Sequence, residues 1–161
     1  MGSYVVSLDP GGTTGVCLVR NEDQPWQLEV AEFKGQHQRV LREFLSTLEP
    51  EIVICETFQN RSQEAASLAP LEYIGIVNAY LQETGKRGIW QSASTGKAFW
   101  DDGKLLRTGL YIKALKHARD AIRHYAYWRS FKCNDRTMLN RLNKWHPVPP
   151  TVVRLPSPPS S

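Results

Sequence analysis

The stretch that decides the fold is Tyr4-Val5-Val6-Ser7-Leu8-Asp9-Pro10-Gly11-Gly12-Thr13-Thr14-Gly15, followed by Val16-Cys17-Leu18-Val19. An apolar, β-branched run ends on a carboxylate and meets a Pro-Gly-Gly turn, and a second apolar run follows at once. This predicts a buried strand, a tight reversal and an antiparallel return strand. Asp9 then stands at the end of a rigid element, where a carboxylate suits a metal ligand. An Asp before Pro-Gly also caps turns by accepting from their N–H groups, and both readings stand at this point.

Downstream, Asn21 to Pro25 is a polar turn. Trp26 to Phe33 alternates well enough for a third strand, completing a meander. Gly35 breaks it. Val40, Leu41, Phe44, Leu45 and Leu48 then fall on one stripe of an amphipathic helix over 36–48. After Pro50, Ile52-Val53-Ile54-Cys55-Glu56 reads as a central strand buried on both faces. A strand–helix–strand connection favours placing it parallel to the first strand. Glu56 then emerges at the same edge as Asp9, where parallel sheets build their sites.

Residues 63–84 read as a largely apolar helix, bent or restarted at Pro70. Ile89-Trp90 begins a fifth strand, and residues 92–100 carry a short capped helix. Asp101-Asp102-Gly103-Lys104 reads as a turn. A long helix is expected over 108–130, with Leu110, Ala114, Leu115, Ala118, Ala121, Ile122 and Tyr125 inward. Lys113, Lys116, His117, Arg119, Asp120, Arg123 and His124 are expected on its other side. His117 and Asp120, three apart, are neighbours on one face. His124 reads as structural or phosphate-facing.

Three units are expected: a main domain over 1–130, a basic and helical extension over 131–146, and a Pro/Ser-rich extended or disordered tail over 147–161. Charge is divided along the chain. The first 80 residues carry 5 Lys/Arg against 11 Asp/Glu, and the remaining 81 carry 15 against 5. A basic half interleaved with Trp, Tyr and Phe favours a nucleic-acid partner. No apolar run reaches the roughly 18 residues of a membrane span, so no membrane partner is expected. Cys17, Cys55 and Cys133 form no pair with ligand spacing, and reduced thiols in a cytoplasmic setting are expected.

Taken together, LDPGGTTG around Asp9, IVICET around Glu56 and KHARDAIRH around Asp120 resemble the ribonuclease H-like fold, and within it the RuvC-like Holliday junction resolvases, possible bacteriophage members included. The resemblance covers residues 4–130. It implies an α/β fold with a mixed five-stranded sheet, order 3-2-1-4-5, flanked by helices. It further implies a catalytic and metal-binding set of Asp9, Glu56, His117 and Asp120. The family carries an acidic residue at three of these places and an Asp or His three residues before the last.

Two-metal phosphodiester hydrolysis wants such oxygen ligands around Mg²⁺, and an imidazole makes Mn²⁺ a workable substitute. Asp9 is then the candidate for the ligand shared by both cations. Phe58 matches the family's base-stacking aromatic, Arg61 could hold a phosphate beside it, and Lys113, Lys116, Arg119 and Arg123 could neutralise phosphates near the cut. The implied partners are four-way branched DNA and a second copy of the chain, with the helix of 63–84 as the interface and no nucleotide cofactor. Readings kept beside this are a flap or fork endonuclease of the same fold, a small actin-like ATP-binding module, since an Asp-x-Gly turn opens that fold too, and an inert DNA-binding domain.

Overall fold

The computed structural model describes residues 4–34, 38–57, 69–144 and 152–155. Strands β1 (Val5–Asp9), β2 (Thr13–Val19) and β3 (Leu28–Lys34) form the meander. Helix α1 (Gln38–Leu48) then crosses to β4 (Ile52–Thr57). Helix α2 (Ala69–Thr84) leads to β5 (Arg87–Ser92), and α3 (Ala93–Phe99), α4 (Asp102–Thr108), α5 (Lys116–Phe131) and α6 (Arg136–Leu142) follow. A last strand, β6, spans Val152–Arg154.

The sheet runs β5-β4-β1-β2-β3-β6, with β1 antiparallel to β2 and parallel to β4. The expected order of the first five strands holds, but the sheet has six strands, not five. The sixth lies in the stretch read as a Pro/Ser-rich tail, where the prolines outweigh Val152-Val153-Arg154 in composition. Those residues pair parallel to Leu28–Val30, and Leu155 N–H donates to the Val30 carbonyl at 2.7 Å.

Strand alternation sorts the core into two layers. Val6, Leu8, Val16, Leu18, Val53 and Cys55 face α1 and α2, which contribute Leu41, Leu45, Tyr73, Val77 and Tyr80. Val5, Cys17, Val19, Val30 and Ile54 face α5, which contributes Ala118, Ala121, Ile122, Tyr125 and Trp128. Burying each Val, Leu or Ile here is worth about 1.5–3 kcal/mol relative to leaving it in water. The period of two therefore also sends Asp9 and Glu56 toward α5, two residues beyond Ser7 and Ile54. Cys17 and Cys55 are buried thiols, and Cys133 is an exposed one.

The long helix expected over 108–130 starts only at Lys116, because residues 109–115 form a connector between α4 and α5. Residues read as a turn form α4, N-capped by Asp101, whose side chain accepts from Lys104 N–H at 2.8 Å. Gly109 ends α4 at φ +75°, a left-handed conformation that glycine adopts without penalty. Leu110 and Leu115 are buried in the connector, so apolar spacing alone does not reveal the break. α6 packs on α4 and α5 through Met138, and Arg141 lies over the Trp26 ring at 5.2 Å. The expected helix start at 63–68 lies outside the described residues.

Candidate active site

β1 and β4 pair in parallel up to Leu8 and Cys55, so Asp9 and Glu56 follow side by side at the carboxyl edge of the sheet. β5 adds Gln91, the register partner of Glu56. Helix α5 runs over this edge and brings His117, Asp120 and His124 to it. It can come so near because Gly15 lacks a side chain: a Cβ there would stand 2.0 Å from the backbone carbonyl group of His117. On the other flank Gly96 of α3 allows similar closeness, since its Cβ would meet the Arg123 backbone at 2.9 Å. The start of α5 is also held by charge. Glu32 Oε1 accepts from the backbone N–H of His117 at 2.7 Å and of Ala118 at 3.2 Å, where a helix N-terminus favours an anion.

The four acidic and imidazole residues expected at the site are therefore together at one edge. Asp9 is 7% exposed and its Oδ2 lies 3.0 Å from His117 Nδ1. Burial, then the charge of Glu56, and further that of Asp120, push its carboxyl up to about 6, against the opposing contact with His117. Glu56 Oε2 lies 2.7 Å from His124 Nε2. Asp120, 5% exposed, pairs with Lys97 Nζ at 3.0 Å and with Arg123. Burial works against the Lys97 ammonium, but Asp120, Glu56 and Asp9 overcome it and hold its pKa above the ordinary lysine value. Among the described residues no group of three or more His, Cys, Asp and Glu side chains stands in metal-ligating geometry. Each carboxylate instead faces an imidazole or a side-chain cation.

The basic residues divide. Lys113 and Lys116 are exposed, Lys113 in the connector before α5 rather than on the helix. Arg119 and Arg123 turn inward: both reach Asp102 on α4, Arg119 at 3.2 Å, and Arg123 also donates to the Trp100 carbonyl at 2.8 Å. Asp102 is thus the link between α4 and α5, a role its place in an apparent turn concealed. Phe58 and Arg61 lie outside the described residues.

His124 was expected on the outer side of its helix and is instead fully buried, between Glu56 and Gln91. Sequence reasoning also missed Lys97, Gln91 and Glu32. His124 had one available signal: it lies four residues after Asp120, hence on the same helical face. The other three sit on separate elements, and only the folded chain joins them to the site.

A scan against protein-family models finds no match for this chain. A search of curated proteins finds no match either. Comparison with solved structures does. The chain is similar to Thermus thermophilus RuvC in complex with a Holliday junction substrate, at a TM-score of 0.60 and 18% identity, covering 80% of this chain and 95% of that one. A second Thermus thermophilus RuvC structure gives 0.52 and 16%, covering 80% and 96%. The fowlpox virus Holliday junction resolvase gives 0.50 and 12%, covering 80% and 99%. At such identities the likeness speaks for architecture. The strand order, the crossing α5 and these comparisons together show that the chain has the ribonuclease H-like fold in the form found in RuvC-type Holliday junction resolvases.

Proposed function

We propose that this chain is a divalent-metal-dependent endonuclease that resolves four-way DNA junctions by paired phosphodiester hydrolysis. The observation that carries the reading is the convergence of Asp9, Glu56 and Asp120 from β1, β4 and α5 on one edge, close enough that the charges of the other two raise the Asp9 pKa. Three carboxylates gathered at a cost in repulsion suit a role that consumes that repulsion, and cation binding does so. The donor set fits: carboxylate oxygens are the ligands of Mg²⁺, and His117 beside them makes Mn²⁺ acceptable. Asp9, Glu56, Asp120 and His117 would hold the cations, with Asp9, the most central, as the shared ligand. When bound, such cations supply positive charge for the scissile phosphate and its leaving oxygen and make water a competent nucleophile.

The chain's own residues prepare that chemistry. β1 fixes Asp9 with little side-chain freedom, and Glu32 holds the first turn of α5 so that His117 faces Asp9. Lys97 and Arg123 neutralise Asp120, and Arg123 and Arg119 anchor α5 to α4 through Asp102. Lys113 and Lys116, exposed shortly before His117 in the chain, are assigned to DNA phosphates, whereas Arg119 and Arg123 serve the frame around the site. Phe58 and Arg61, just past Glu56, are assigned to bases and phosphate at the opened junction. A homodimer through α2 would present two such sites to a two-fold symmetric junction.

The test is incubation with a synthetic four-way junction, a flap and a linear duplex in Mg²⁺, Mn²⁺ or EDTA. Symmetric nicks confined to the junction and abolished by EDTA support the proposal. Equal cutting of the flap would shift it to a broader branched-DNA endonuclease, and no cutting in either metal would refute it.

A further inference from the structure

His124 is fully buried, yet it makes two side-chain polar contacts, and they define its role. Its Nδ1 lies 2.8 Å from Gln91 Oε1, and Gln91 Nε2 donates to the His124 backbone carbonyl at 3.2 Å. A carbonyl can only accept, so it fixes which end of the Gln91 amide is the nitrogen, and Oε1 must face the imidazole. Nδ1 therefore carries a hydrogen. At the other side of the ring, Nε2 lies 2.7 Å from Glu56 Oε2, within hydrogen-bond distance. Gln91 and Glu56 are register partners on adjacent parallel strands. One imidazole thus fastens neighbouring strand ends to α5, with the orientation of Glu56 set by a group behind it.

We infer that His124, seated by Gln91, is a positioning residue that aims the Glu56 carboxylate into the site, the outer partner of a candidate metal-binding carboxylate. The inference rests on the endonuclease reading above. Outer partners of this kind fix the rotamer of a ligand and typically govern metal affinity by 10–100-fold. The helix position gives the device its logic. His124 follows Asp120 by four residues, so the α5 face that presents Asp120 also aligns Glu56, and the two carboxylates are positioned by a single rigid element.

The test compares His124→Leu, which fills the space without a donor, with His124→Gln, whose Nε2 can donate to Glu56 in the ring's place. Gln91→Leu serves as a second probe on a different strand. Free Mn²⁺ is followed by electron paramagnetic resonance as it binds each protein without DNA. Single-turnover junction cleavage in Mg²⁺, junction binding in EDTA and thermal melting accompany it. His124→Leu and Gln91→Leu are expected to weaken Mn²⁺ binding about tenfold or more and to slow cleavage by a similar factor, with junction binding in EDTA unchanged. His124→Gln is expected to recover most of both. If His124→Leu does not fold, Gln91→Leu decides: Mn²⁺ binding as in wild type would overturn the inference. Equal loss in His124→Leu and His124→Gln, tracking melting temperature alone, would overturn it too. A wild type that neither binds Mn²⁺ nor cuts refutes the endonuclease reading and this inference with it. A wild type that does both beside an unaffected His124→Leu refutes this inference alone.

Discussion

Glu32, on β3, accepts the backbone N–H of His117 at 2.7 Å, so a strand three positions from β4 in the sheet holds the first turn of α5. Helix N-termini leave N–H groups unpaired, and a carboxylate placed there satisfies them while complementing the helix dipole. The same contact sets where His117 begins its approach to Asp9. Glu32→Gln keeps an acceptor and loses the charge. It should lower stability by about 1 kcal/mol, read as a shift in urea midpoint, and slow junction cleavage more than it weakens junction binding. An unchanged midpoint would mean the contact contributes nothing.

Gly15 and His117 meet backbone to backbone, which leaves no room for even one methyl group. A Cβ at Gly15 would sit 2.0 Å from the His117 carbonyl atoms, and neither β2 nor α5 can yield without disturbing the core beneath them. Gly15→Ala should therefore cost about 3 kcal/mol or more, at the upper end of overpacking penalties. Circular dichroism melting checks this. A variant that melts with the wild type would contradict the close approach of β2 and α5.

Asp9 gives the metal-free protein a specific pH dependence. Its carboxyl is raised to about 6 in the fold, chiefly by burial and then by Glu56, above the ordinary value of 3.8. The folded state thus binds that proton more tightly than the unfolded chain. Asp9 favours folding most when protonated, below about 4, and that contribution is lost as pH rises through 6. Its size is on the order of 1–3 kcal/mol. Denaturation of wild type and Asp9→Asn in EDTA should show the variant gaining relative stability between pH 4.5 and 7.5. Parallel curves would refute the electrostatic account. Junction cleavage in Mg²⁺ should rise with pH, since cations compete for the ionised carboxylate.

Lys113 and Lys116 are exposed and lie shortly before His117 in the chain, so they should behave as phosphate contacts. Replacing both with alanine should weaken junction binding in EDTA without changing where the cut falls. The dependence of log affinity on log salt should flatten by about one for each lysine. Arg119→Ala, by contrast, should act mainly on stability, because its guanidinium is occupied by Asp102 and by the Ile112 carbonyl at 3.0 Å. Identical salt slopes for wild type and the double variant would remove both lysines from the interface.

Much of this was legible in the chain because its strongest signals are local. The run ending in Asp9, the reversal after it and the buried run ending in Glu56 each declare themselves over fewer than ten residues. The strand–helix–strand connection then favours β4 parallel to β1, as the sheet shows. Two kinds of feature were not legible. One is where apolar periodicity continues through a break, as between Thr108 and Lys116, where Leu110 and Leu115 are buried without being helical. The other is partnership across elements. Nothing in the spacing of Gln91 or Lys97 says which carboxylate each will meet, and a polar His124 on a basic helix reads as solvent-facing until Glu56 is seen opposite it. Val152–Arg154 was hidden by its prolines: three residues of strand need only a waiting edge, and β3 supplies one.

The proposed metal-dependent cleavage of branched DNA turns on Asp9. The most direct measurement is a time course of strand scission on a synthetic four-way junction, with wild type and Asp9→Asn, each in saturating Mg²⁺, alongside binding of the same junction in EDTA. Paired, symmetric nicks are expected from the wild type, none from Asp9→Asn, and equal binding by both. Cleavage by Asp9→Asn at the wild-type rate, or a wild type that binds the junction and never cuts it, would contradict the proposal.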